Sequence, residues 1–147
     1  MFSKRFFVGW IVSAIVMFSL SYVWHGVILT DFQRISYPFS VFLIIAILVY
    51  LIIGFAISTA MVKINSERFK RKPIQRALIY SSALGVFLYL VAMVVGVSFM
   101  KNVSVPFILI DLSWQIIEQS FGGLVIGLAY YFIYEPQHDD HLLEEEI

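Results

Sequence analysis

Long apolar runs, broken by few and clustered charges, set the pattern of this chain. Between Arg5 and Asp31 stand 25 residues, Phe6 to Thr30, with no Asp, Glu, Lys or Arg. A second uncharged run covers 28 residues from Ile35 to Val62, and a third covers 24 from Ala77 to Met100. Each exceeds the roughly 20 residues that a helix needs to cross a hydrocarbon core about 30 Å thick. A fourth run is interrupted: it starts near Ser104, carries Asp111 and Glu118, then continues uncharged for 16 residues from Gln119 to Tyr134. Ser104 and Pro106 suit a helix start, and Tyr130, Tyr131 and Tyr134 suit a membrane interface, so this run also reads as a span. Barrel strands would alternate over about ten residues, and only a helix satisfies its backbone locally in lipid. The pattern predicts an all-α, polytopic membrane protein built as one four-transmembrane-helix bundle. Its membrane domain covers residues 1–134, with spans at about 6–29, 38–62, 77–100 and 106–134, followed by an acidic, disordered cytoplasmic tail at 135–147.

Charge changes the picture by giving the bundle a direction. One side would hold Lys4, Arg5, Lys63, Arg68, Lys70, Arg71, Lys72 and Arg76, and the other only Arg34 and Lys101. Eight basic residues against two place the N-terminus and the central loop in the cytoplasm, and four spans return the C-terminus there. The basic residues Lys63, Arg68, Lys70, Arg71, Lys72 and Arg76 would also meet anionic lipid headgroups, at about 1 kcal/mol each. A cleavable signal peptide is the competing reading of the N-terminus, with Ser19-Leu20-Ser21 as its cleavage site. The apolar run continues past that point to Leu29, longer than the roughly 7–15 residues of a signal core, so a retained span is expected.

Composition agrees with a lipid environment. Hydrophobic residues make up 61% of the 147, and charged residues 14% against about 25% in soluble domains. Cysteine is absent, which excludes disulfides, thiolate metal sites and cysteine nucleophiles. Hydrocarbon offers no hydrophobic drive between helices, so association must come from close backbone approach and polar contacts. Small residues four apart occur in every span: Gly9/Ser13, Gly54/Ser58, Ser81/Gly85 and Gly123/Gly127. They predict tight crossings within one bundle, with homodimerisation through the same faces as the alternative. Ser36-Tyr-Pro-Phe39 and Ser104-Val-Pro-Phe107 open the second and fourth spans alike, a hint of a duplicated hairpin.

Few residues offer chemistry. A charge at the centre of a span costs about 2.5–3.5 kcal/mol on insertion scales, so Glu118 is the leading candidate. Asp111, Gln115 and Glu118 are spaced i, i+4, i+7 and share one helix face, with Trp114 and Gln119 beside them. His25 lies six residues before Asp31, and Glu118 seven after Asp111, so each sits roughly 10 Å below its interfacial acid. The candidate intramembrane polar cluster is therefore His25, Asp111, Trp114, Gln115 and Glu118. It would relay protons or bind a cation or polar substrate, or else clamp the helices together by hydrogen bonds. Trp10 and Trp24 read as interfacial anchors. Paired-histidine haem ligation fails because His25 is the lone intramembrane histidine. His138, Asp139, Asp140 and His141 could touch a metal, but they read as part of a solvated tail, so no metal or cofactor is expected.

Two stretches resemble an uncharacterised family of small four-span bacterial inner-membrane proteins. They are Trp24-His-Gly-Val-Ile and Pro106-Phe-Ile-Leu-Ile-Asp111-Leu-Ser-Trp114. Ser21 stands where that family carries an aspartate, and apolar residues at 93–96 replace a polar stretch expected in the third helix. The resemblance implies the four-span fold and an inner (plasma) membrane location, draws attention to Asp111 and Trp114, and implies no activity. No hydrolytic, kinase or dinucleotide motif is present. The leading expectation is a non-enzymatic accessory or interaction component. A small transporter or permeation unit using the polar cluster is the alternative, and an intramembrane enzyme the third. Partners expected are membrane lipids and a second copy or another membrane protein, not nucleic acid.

Overall fold

The computed structural model describes residues 3–35, 38–64, 72–97 and 104–133. Arg68, Lys70 and Arg71, the Ser36-Tyr37 half of the repeated motif, and the acidic tail lie outside them. The described residues form four long helices: α1 (Lys4–Ser21), α2 (Phe39–Lys63), α3 (Pro73–Val97) and α4 (Val105–Phe132). A π-helical segment, Tyr22–Ile28, extends α1, and a 3-10 turn at Asp31–Arg34 leads towards α2. Three helical segments, Lys4–Ile28, Phe39–Lys63 and Pro73–Val95, are long and apolar enough to cross a membrane. Helix α4 is as long, at 28 residues, but Asp111, Gln115, Glu118 and Gln119 lower its apolarity.

Local signals explain the helix ends. Ser3 caps α1, its hydroxyl accepting from the Phe6 N–H at 3.4 Å. Pro73 opens α3, four residues ahead of the uncharged run, because proline at a first helical position gives up an N–H that has no partner there. Arg76 therefore belongs to the first turn of α3, where its Nη2 donates to the Met61 carbonyl of α2 at 3.1 Å. The Tyr80 hydroxyl donates to the Ile64 carbonyl at 3.2 Å, so two polar bonds pin the α2–α3 hairpin. Part of the Arg76 guanidinium is thus held by this hairpin. Lys63 and Lys72 are exposed at the same end.

Helix α4 packs most extensively on α3 and then on α1; α1 packs on α2, and a slighter α2–α3 contact closes the ring. Two stripes on α4 make this possible. Glu118, Gly122, Ile126 and Ala129 face α1: a Cβ at Gly122 would meet Met17 and Ser13, and Gly9 of α1 sits against Ile126 and Ala129. Gln119, Gly123 and Gly127 face α3, against Gly85, Ser81 and Ile74 respectively. All eight small residues of the four-spaced pairs are buried, so the close approaches are made within the single chain.

The half of the bundle nearest the α2–α3 hairpin is closed by apolar side chains. Phe6, Ile57, Met61, Ala77 and Ile126 are buried there. The Trp10 Nε1 donates to the Leu51 carbonyl at 2.7 Å, tying α1 to α2. The ring also meets Phe55 edge-on at 5.3 Å. An indole N–H has no partner in hydrocarbon, and a backbone carbonyl across the helix interface supplies one.

Candidate functional site

The opposite half of the bundle is polar, and it begins with the inner face of α1. Phe6, Gly9, Ser13, Ala14 and Met17 are its buried residues, spaced three, four, one and three apart. The same periodicity carries Ser21, Trp24 and His25 onto that face. From Tyr22 the backbone widens: the Leu29 N–H bonds to the Trp24 carbonyl, five residues back, at 2.8 Å. Such π-helical stretches recur where a helix must redirect side chains at a site. Thr30 then adopts a left-handed conformation with φ 55°, an unusual posture for a β-branched residue. This reversal brings Asp31 back over the helix end, where its Oδ2 lies 3.0 Å from His25 Nδ1. Phe32 follows onto Gly26, at which a Cβ would collide with the Phe32 ring.

Helix α4 supplies the facing wall. Trp114 stacks on Trp24 with ring centroids 4.2 Å apart and planes within 10°. One turn deeper, Glu118 is 1% exposed. The side chains of Tyr50 on α2, Trp114 and Ser21 stand against its carboxylate, and His25 lies within electrostatic reach. None of them completes hydrogen-bond geometry, and both carboxylate oxygens are without a partner. The indole N–H groups of Trp24 and Trp114 are equally unpartnered. Asp111 sits nearer the open end, within electrostatic reach of His25 and Asp31. Tyr89 of α3 lies beside Asp111 and donates to the Ile108 carbonyl at 3.0 Å.

Among the described residues, Glu118, Trp114, Asp111 and His25 thus gather at one end of the bundle. Gln115 is half-buried, its carbonyl turned towards Gly85 on α3. His25 bonds to Asp31 rather than to Gln115 or Glu118. Depth counting placed His25 and Glu118 level, but Asp31, folded back by the turn, takes the imidazole first. Ser21, Tyr50 and Trp24 were not among the predicted cluster. Tyr50 had left a signal, since it is the one phenol inside the uncharged run from Ile35 to Val62 apart from Tyr37 at its edge.

Buried Gln119 is a second polar anomaly, 0% exposed with neither amide atom bonded. It faces α3 rather than α1 and stands apart from the aromatic pair. The Ser82 and Ser120 hydroxyls, 2.9 Å apart, are the polar link between α3 and α4 beside it. No three carboxylate or imidazole groups among the described residues converge as a metal would require. What the arrangement offers is one desolvated carboxylate among hydroxyl and indole donors, with stacked rings one turn nearer the open end. No protein-family model, curated protein or solved structure matches the chain.

Proposed function

We propose that the chain is a four-span protein of the inner (plasma) membrane, with both termini cytoplasmic, that binds a small solute at Glu118 in the outer half of its bundle. The observation that carries this reading is a buried carboxylate with two unpartnered oxygens. A desolvated, unsatisfied carboxyl group is destabilising unless it serves something that arrives later. Glu118 therefore suits a binding or carrier component better than an accessory one. Phe6, Ile57, Met61, Ala77 and Ile126 fill the cytoplasmic half, so the solute enters from the outer end, past Asp31 and His25.

Several features support a fourth span. Helix α4 runs 28 residues and turns its polar groups Glu118 and Gln119 inward. Its exposed positions include Phe107, Leu109, Ile110, Ile117, Phe121 and Phe132, which suit lipid. The orientation rests on the eight-to-two division of basic residues.

Because the chain lacks cysteine, topology is testable with single introduced thiols. Gln33→Cys should react with a membrane-impermeant maleimide in intact cells. Lys72→Cys and His141→Cys should react only after permeabilisation. Labelling of His141→Cys alongside Gln33→Cys would mean that α4 does not cross.

For the binding reading, native mass spectrometry of gently extracted protein should show a reproducible small adduct. Glu118→Gln should weaken that adduct while leaving retained lipids unchanged. Wild-type protein that keeps its lipids but never carries such an adduct would overturn the reading.

A further inference from the structure

Resting on the outer-facing site of that reading, we propose that Glu118 takes up and releases a proton, exchanged with the outer aqueous face through His25. The surroundings of the carboxyl group are the first reason. The hydroxyls of Tyr50 and Ser21 and the indole N–H of Trp114 stand against it, and Tyr50 also stands against Ser21. A hydroxyl donates or accepts according to its rotation, whereas an indole only donates. Facing a carboxylate, Tyr50, Ser21 and Trp114 all turn donors towards it. Facing the acid, one hydroxyl accepts from its O–H while the others serve the remaining oxygen. Both protonation states thus find partners among the same side chains. A proton also needs no cavity, which suits a side chain 1% exposed.

His25 is the titratable link to the surface. A carboxylate only accepts, so Nδ1 carries the hydrogen in the contact with Asp31, and Nε2 keeps its lone pair. The two side chains are 35% and 37% exposed. A proton from water joins Nε2, and the imidazolium faces the carboxylates of Asp31, Asp111 and Glu118. Ser21 lies four residues deeper on the same helix face, so its hydroxyl can accept the Nε2 proton as it gives its own to Glu118. Water loses one proton and the carboxylate gains one; the reverse sequence returns it. Arg34, in the same turn as Asp31, and Lys101, between α3 and α4, belong to this end on the four-span reading, and Tyr89 stands beside Asp111. All three hold their protons near neutral pH, so they shift the midpoint of the exchange without supplying its route. Towards the cytoplasm the route stops. Met17 lies against Gly122, one turn beyond Glu118, and joins Ile53, Ile57 and Ile126 in the buried apolar cluster.

The test follows the carboxylic C=O stretch of the purified full chain in lipid nanodiscs by infrared difference spectroscopy across pH. A wild-type band that disappears reversibly as pH rises, and that is missing from Glu118→Gln, is the expected result. Glu118→Asp should shift this band rather than delete it, an assignment that holds even where the glutamine variant folds poorly. A Glu118 signal that stays in one form from the acid to the alkaline limit of the folded protein would overturn the proposal. Exchange into heavy water, read as the isotope shift of the same band, tests the route. His25→Gln should slow it by about a hundredfold, the low end of what a positioned acid–base group contributes. Ser13→Ala, on the cytoplasmic side of Met17, should leave it unchanged. A loosened bundle would exchange faster, so slowing does not arise from poor folding. Unchanged exchange in His25→Gln, or slowing in Ser13→Ala alone, would overturn the route through His25. A titrating Glu118 with no adduct in the native mass spectrum would remove the solute and keep the proton. An adduct at a Glu118 that never titrates would do the reverse.

Discussion

Replacing Glu118 by methionine should raise the thermal stability of the empty protein. Methionine keeps an unbranched chain of similar length and removes two oxygens that have no partner in a site 1% exposed. Leaving a buried polar group unsatisfied costs about 1–3 kcal/mol, more for a charge, and apolar replacement of buried ionic groups gains a similar amount. The expected change is thus a stabilisation of about 1–3 kcal/mol, read from thermal unfolding of both proteins in one detergent after the solute has been washed out. Saturating solute should reverse the order, because only the wild type gains from it. A lower melting temperature for the methionine variant without solute would mean that Glu118 holds the helices together, and the clamp reading would return.

Gly127→Ala should be destabilising. A Cβ there would stand 2.6 Å from the Ile74 Cα and 3.3 Å from the Ile74 nitrogen. Those are backbone atoms in the first turn of α3, so relief requires moving a helix rather than a rotamer. Overpacking of this kind costs about 1–3 kcal/mol, against which the better helix propensity of alanine returns about 1 kcal/mol. Gly9→Ala is the contrasting case. Its new Cβ would meet Ala129 and Ile126 at 3.5 Å, ordinary contact, so the propensity gain survives. The two variants should therefore shift the melting temperature in opposite directions. Equal tolerance of both would show that α3 and α4 are not so closely held.

Much of the architecture was legible before any coordinates. Charge-free runs mark three helices outright, and the small-residue pairs locate the faces along which the helices meet. Asp111, Trp114 and Glu118 stood out because polar groups in an apolar helix are conspicuous. The rest depended on geometry that spacing does not encode. Nothing in Tyr22–Ile28 announces bonds to the fifth residue back, and the left-handed posture of Thr30 has no glycine to advertise it. Those two features aim Trp24 at Trp114 and give His25 to Asp31. The bond from the Trp10 indole to the Leu51 carbonyl is of the same kind, since it depends on where the neighbouring helix lies.

The two stripes of α4 also bear on how the chain is made. Alone in lipid, this helix would leave Glu118 and Gln119 bare, against an insertion penalty of about 2.5–3.5 kcal/mol for a central charge. Its α3 partners, Ser81, Ser82 and Gly85, are synthesised immediately before it, whereas Ser21 and Tyr50 come from the first hairpin. On the four-span reading, the helix least able to enter the membrane by itself is translated last, when every surface that shelters it already exists. Biogenesis then has a built-in order: the earlier helices form a template, and the final one is captured by it, so that a nascent chain with a damaged first hairpin loses its last span as well.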